Sequence, residues 1–219
     1  MRRLYALIGD IYHPPEYIRE GLRLALPQGS SSLAEITIET QPDNIPWNNL
    51  DSGDVLVLFK DTKTNPKKDP DALWMTEAYE TLIEGFVRKG GGLIVLHSGI
   101  VIHPNCITFR SLTKGRFLGH PEDHPVIRIT PGSTAHPLLK GIEAFSITDE
   151  QYFVELDRDD TETLLHGEST EHGPCPVGWA HTHGAGRICC LTPGHTLEVL
   201  SHSMVQKLIR NSVNWCQGN

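Results

Sequence analysis

The stretch GGGLIVLHSG, residues 90–99, decides the fold. Its glycines stop whatever precedes them. Leu93 to Leu96 then form a short unbroken apolar run, which reads as a strand buried on both faces. That strand ends abruptly at His97-Ser98-Gly99. A sharp strand-to-helix turn is where many α/β enzymes hold a nucleophile. Here the turn carries a histidine and a serine, and no cysteine.

Working outward, strands and helices alternate through the first half. LYALIG (Leu4 to Gly9) is an apolar run ending at Gly9-Asp10, and Pro14-Pro15 open a helix with Ile18, Leu22 and Leu26 on one stripe. AEITIET is a short alternating strand, and VLVLF (Val55 to Phe59) is a buried run ending at Lys60-Asp61. Asp69-Pro70 supply a helix start, with a capping carboxylate followed by proline in the first turn. Met75, Tyr79, Leu82, Ile83 and Phe86 recur at helical spacing up to the stop at Gly90. The charged loop KDTKTNPKKDP reads as a solvated connection.

This succession predicts an α/β fold: three layers, a mostly parallel sheet, helices on both faces. Such sheets bind ligands outside the carboxyl ends of their strands, near the topological switch point. Gly9-Asp10, Lys60-Asp61 and His97-Ser98 are therefore expected on one rim. The second half is richer in strands: VIRITP, TLLHG, PVGWAHTH and GRICCLTPGH are bounded by Gly and Pro. The last helix is expected to begin near Ser201 as cap, with Val205, Leu208, Ile209 and Val213 buried. No repeat or linker divides the chain, so residues 1–219 read as one domain.

A formal charge of −8 excludes the basic face of a nucleic-acid binder, and no apolar run is long enough to cross a bilayer. The basic-then-apolar start MRRLYALIGD is interrupted by Asp10 and reads as a first strand rather than a signal peptide. Five cysteines without a CxxC pair read as buried thiols of a cytoplasmic protein. Cys189 and Cys190, adjacent on a strand, should face opposite ways. Cys106 has no activating neighbour in the sequence.

Twelve histidines are many for this length. His97 and His195 each end a strand, His120 lies in the turn signal GRFLGHP, and His181 and His183 share one strand face in WAHTHG. Asp149-Glu150 in TDEQY add carboxylates. Imidazoles and a carboxylate in one cleft serve either a divalent metal or metal-free acid–base chemistry. The spacing matches no HExxH signature, so it leaves both open. His13, His103, His124, His136, His166, His172 and His202 read as surface or structural residues.

The motifs GGGLIVLHSG, GRFLGHP, HPLLKGI followed by F-x-x-x-DEQY, WAHTHGAGR, LTPGH and VQKLIRNSVNW, in this order, resemble the ThuA-like (trehalose utilisation) family. The resemblance implies a fold similar to the flavodoxin-like class I glutamine amidotransferases. It places His97, His120, Glu150, Tyr152, His181 and His195 at cleft positions and makes Arg187 structural. The chain departs from the family pattern at Cys189-Cys190, at His183 and in IVIHPNCITF.

The resemblance further implies a carbohydrate-processing enzyme acting on a keto-sugar or keto-glycoside. On this reading His97, Glu150 and His195 are acid/base groups or ligands of zinc, manganese or nickel. Asp10, Lys60, Ser98, His120, Tyr152 and His181 bind a sugar-type substrate. No nucleotide cofactor, nucleic acid or membrane is expected, and a homodimer is compatible. Two alternatives remain at this point. One is a Ser98-dependent amidohydrolase assisted by His195 and Glu198; the other is a non-catalytic ligand-binding or partner subunit.

Overall fold

The computed structural model describes residues 2–27, 33–157 and 161–218. In chain order the elements are β1 (Arg2–Ile8), α1 (Pro15–Ala25), β2 (Leu33–Glu39), β3 (Val55–Phe59), β4 (Lys63–Asn65), β5 (Asp69–Leu73) and α2 (Glu77–Arg88). There follow β6 (Gly92–Leu96), α3 (Ile107–Thr113), β7 (Gly115–Gly119), β8 (Val126–Pro131), β9 (Phe145–Thr148), β10 (Phe153–Leu156) and β11 (Glu162–Ser169). The chain closes with β12 (Gly173–His183), β13 (Gly186–Leu191), α4 (Leu197–Ser201) and α5 (Ser203–Cys216).

A nine-stranded sheet runs β2-β1-β3-β6-β13-β12-β11-β8-β9. The five strands from β2 to β13 pair in parallel, and the next four extend the sheet in antiparallel pairs. Only β12 and β8 run against the rest, so the sheet is mostly parallel, as the apolar strands led one to expect. The chain passes from β1 to β2 on one side, then crosses back over β1 to β3 on the other. That is the switch point, where a parallel sheet opens a crevice at its carboxyl edge.

Every residue of β3 and β6 is buried. Their side chains alternate between two cores. Ala6, Val57, Ile94, Cys189 and Val213 pack with α1 and α5 on one face, whereas Leu7, Leu58, Val95, Cys190 and Phe86 pack with α2 and α3 on the other. Cys189 and Cys190 thus face opposite ways, and all five cysteines are buried free thiols. Among the described residues, no helix is long and apolar enough to cross a membrane.

Two local readings of the sequence are corrected. Asp69-Pro70 do not start a helix. Residues 69–73 form β5, which pairs antiparallel with β4, and the helix begins at Glu77 after Thr76. Asp followed by Pro satisfies a helix start, but the preceding segment KDTKTNPKK turns back to offer a strand partner instead. At the carboxyl end, Ser201 closes the short α4, and the cap of α5 is His202, whose Nδ1 accepts from the Met204 amide. Gly90 does end α2, with a φ of +114° that suits glycine.

The parallel half of the sheet depends on close backbone approach at Gly186. A Cβ there would lie 2.1 Å from the Val87 carbonyl oxygen and 2.4 Å from that of Gly91, neither of which can rotate away. Gly186→Ala is therefore expected to lower the unfolding free energy by about 1–3 kcal/mol, the usual range for overpacking. Urea denaturation reads this directly, and an unchanged midpoint would contradict the packing described.

Candidate active site

The carboxyl ends of β1, β3, β6 and β13 lie side by side, and the chain places polar groups after each. After β1, Gly9 takes a φ of +88° and the backbone enters a tight turn from Asp10 to His13. Asp10 organises that turn, since its Oδ1 accepts from the amides of Tyr12 (2.9 Å) and His13 (3.1 Å) and sits 2.8 Å from His13 Nδ1. Its Oδ2 accepts from the Asp61 amide at 3.2 Å, tying the end of β1 to that of β3.

After β6, His97 adopts a φ of +43°, a left-handed conformation that costs a non-glycine residue on the order of 1–3 kcal/mol. The turn is nonetheless enforced. Gly99 passes so close to β3 that a Cβ would lie 2.4 Å from the Leu58 carbonyl oxygen, and Gly194 leaves only enough room for His97 Cβ. The fully buried imidazole is held by its Nδ1, 2.7 Å from the Thr192 carbonyl oxygen just past β13. His195 follows on the same connection. The buried Asp149 carboxylate fixes that connection by accepting from the Gly194 (2.9 Å) and His195 (3.1 Å) amides.

Four side chains converge at the crevice. His97 Nε2 lies 3.1 Å from His13 Nε2, which lies 3.3 Å from His195 Nδ1. Glu150 Oε2 completes the ring at 3.2 Å from His195 Nδ1 and 3.3 Å from His97 Nε2. No two of the four atoms are more than 4.8 Å apart. The hydrogen bonds fix the tautomers. A carbonyl faces His97 Nδ1 and a carboxylate faces His13 Nδ1, so both atoms carry the proton. Both Nε2 atoms then present lone pairs to each other. The Tyr152 hydroxyl, 3.3 Å from His97 Nε2, can donate to only one acceptor. Lone pairs at this separation repel unless a proton or a cation lies between them.

Electrostatics agree. Burial opposes ionisation of Asp10, but the hydrogen bond and charge of His13 outweigh it and hold the carboxyl far below the usual range. Burial likewise opposes ionisation of Glu150 and is outweighed by His195 and His97. Glu150 raises the His195 imidazole in turn. Burial pushes the Tyr152 phenol well up, so it stays protonated.

A cavity of about 570 Å3 opens above the four groups, lined by Asp10, Tyr12, His13, Asp61, Lys63, Ser98, Val101, Phe117, His120, Glu150, Tyr152 and His195. Of the residues singled out in the sequence, Asp10, Ser98, His120, Glu150, Tyr152 and His195 line it, and His97 lies fully buried behind them. Lys60 and His181 do not. The Lys60 ammonium donates to the Gly9 carbonyl and joins two strand ends. His181 sits on the β12 face that packs on α3, 2.8 Å from the Leu112 carbonyl oxygen, and His183 on the same face pairs with Glu84. Arg187 is structural, donating to the Trp215 carbonyl. His13 escaped the sequence reading. The signal was its place one turn beyond the strand-end aspartate, as Asp10-x-x-His13 ahead of Pro14.

The serine-hydrolase arrangement is not assembled. Ser98 Oγ makes no hydrogen bond to His195, and Glu198 is exposed on α4. Cys106 is buried away from the cavity, its thiol pushed up to about 11 by burial.

The ThuA family, described as trehalose utilisation, matches residues 13–216. The chain belongs to the ThuA family. No curated protein matches it. Among solved structures it is similar to a ThuA-like protein from Bacteroides uniformis (18% identity, TM-score 0.72, covering 98% of this chain and 90% of that one). A ThuA-like protein from Parabacteroides merdae is similar at 14% identity and TM-score 0.72, over 99% and 90% of the two chains. A cytoplasmic protein from Salmonella typhimurium is similar at 13% identity and TM-score 0.60, over 99% of each chain. These likenesses establish the shared fold, which is that of the glutamine amidotransferase-like ThuA proteins. In this chain the turn after β6 is built around His97.

The Asp10 carboxyl protonates at lower pH in the folded chain than in the unfolded one. Its stabilising contribution is therefore complete above about pH 5 and is lost as pH falls through the ordinary aspartate range near 4 and below. Asp10→Asn is expected to be less stable than the parent by about 1–3 kcal/mol at pH 7, the worth of hydrogen bonds to a charged group. The gap should shrink when both are compared at pH 3. Urea titrations at the two pH values check this; a gap that is constant or grows in acid would contradict the assignment.

Proposed function

We propose that this ThuA-family chain is a cytoplasmic metal-dependent enzyme acting on a keto-sugar or keto-glycoside. His13, His97, His195 and Glu150 would hold one divalent cation above the β6 elbow. The observation that carries the reading is the ring of facing donors. Its sides of 3.1–3.3 Å, with all four atoms within 4.8 Å of one another, bring them close enough to share one cation. A cation also satisfies the opposed lone pairs of His97 and His13. Asp10 and the Thr192 carbonyl supply the outer hydrogen bonds that orient metal-binding imidazoles. Three nitrogens and a carboxylate favour zinc or nickel over manganese.

Such a cation would supply a positive centre for the oxygen of a substrate carbonyl. The cavity above it suits a small polar molecule. Asp10, Asp61 and Lys63 offer acceptors and a donor to hydroxyl groups, and Phe117 offers an aromatic surface to a sugar ring. A ketone next to a C–H bond acidifies it. In a keto-glycoside with the ketone at C3, loss of the C2 proton allows the C1 substituent to leave, and water then adds. The family's description as trehalose utilisation supports a carbohydrate. The free buried thiols support a reducing compartment.

Tag-free protein is expected to carry close to one equivalent of zinc or nickel by elemental analysis. His13→Ala and His97→Ala should each lose it, and release of methanol from a methyl 3-keto-glucoside should fall at least 100-fold in both. Full metal content in both variants, or turnover indifferent to chelation, would contradict the reading.

A further inference from the structure

We propose that His120 is the proton-carrying catalytic residue of this site, taking a proton from carbon beside the substrate carbonyl and returning it to the leaving group. The inference deepens the keto-glycoside reading and rests on it.

His120 is aimed and braced. Its Nδ1 lies 2.7 Å from the Pro121 carbonyl oxygen, so Nδ1 carries the proton and Nε2 presents the lone pair. The ring lines the cavity and is 37% exposed, so Nε2 is open to a substrate. It stacks on Tyr152 with ring planes 21° apart, and Tyr152 stacks on His97 at 23° and 4.5 Å. Tyr152 is thus an aromatic spacer between the buried His97 imidazole and the His120 imidazole. Glu150 joins the same two levels. Its Oε2 is engaged by His97 and His195, while its Oε1 lies 3.7 Å from His120 Nε2. That separation places a carboxylate oxygen beside the nitrogen that takes the proton.

The other groups at the cavity are worse placed for the task. Glu150 and Asp10 are carboxylates already committed to imidazoles, and Asp61 is engaged by the Lys63 amide and ammonium. His13 and His97 turn their lone pairs inward. His124, 4.0 Å from Glu150 Oε1, does not border the cavity.

The step balances without a further reactant. The Nε2 lone pair takes the C2 proton, the C–H electron pair forms a C2–C3 double bond, and the carbonyl π pair moves to the C3 oxygen. When that pair returns, the C2–C3 pair shifts to C1–C2 and the C1–O bond breaks. The departing alkoxide takes its proton from the His120 imidazolium, leaving the base neutral.

The test uses methyl 3-keto-glucoside with the metal-loaded full chain in D2O. Proton NMR follows loss of the C2–H signal and release of methanol. His120→Gln is expected to slow both at least 100-fold, with metal content unchanged and KM within about threefold. Added imidazole should restore exchange in His120→Gly. Wild-type exchange rates in His120→Gln would overturn the assignment, as would loss of its metal, which would make His120 a ligand. A metal-loaded wild-type chain that neither exchanges nor releases methanol would overturn the keto-glycoside reading itself, and this proposal with it.

Discussion

The hydrogen bond between His97 Nδ1 and the Thr192 carbonyl spans two neighbouring parallel strands at their carboxyl ends. The rest of the site is built on it. It needs the left-handed His97 backbone, which in turn needs Gly99 against β3 and Gly194 against the His97 side chain. It fixes the ring so that Nε2 points at the switch-point crevice, where the turn after β1 delivers His13. The strain of the elbow is local. It is opposed by strands whose every residue is buried, so the turn cannot relax without disturbing both cores.

The second constraint is charge. The side chains of Asp10, Asp149 and Glu150 are buried at or beside the cluster of three imidazoles, and each carboxylate has a defined task. Asp10 orients a ring, Asp149 holds the backbone that carries His195, and Glu150 closes the donor ring. Buried carboxylates in such number are tolerated only when hydrogen bonds and positive charge answer them. Backbone amides answer Asp10 and Asp149. Glu150 depends on the imidazoles and on whatever cation or proton they share. The site's chemistry and its stability therefore rest on the same electrostatic balance.

Much of this was legible in the chain. Unbroken apolar runs at Val55–Phe59 and Leu93–Leu96 identify buried parallel strands, and a strand that stops at His97 puts that residue on the carboxyl rim. The motif order carried the family. What escaped depended on contacts distant in sequence. His13 meets His97 and His195 only through a turn set by Asp10. The family resemblance puts His181 in the cleft, yet its strand face packs on α3. Lys60 follows β3 directly before Asp61, but its ammonium turns to the Gly9 carbonyl. Asp69-Pro70 satisfies a helix start locally, and a partner strand six residues upstream decides otherwise.

The central claim is that three imidazoles and one carboxylate meet at a single cation. X-ray absorption on the zinc-loaded chain counts those imidazoles directly through their outer-shell scattering. Three histidine nitrogens at about 2.0–2.1 Å is the result expected. Zinc bound with two imidazoles or fewer would contradict the account.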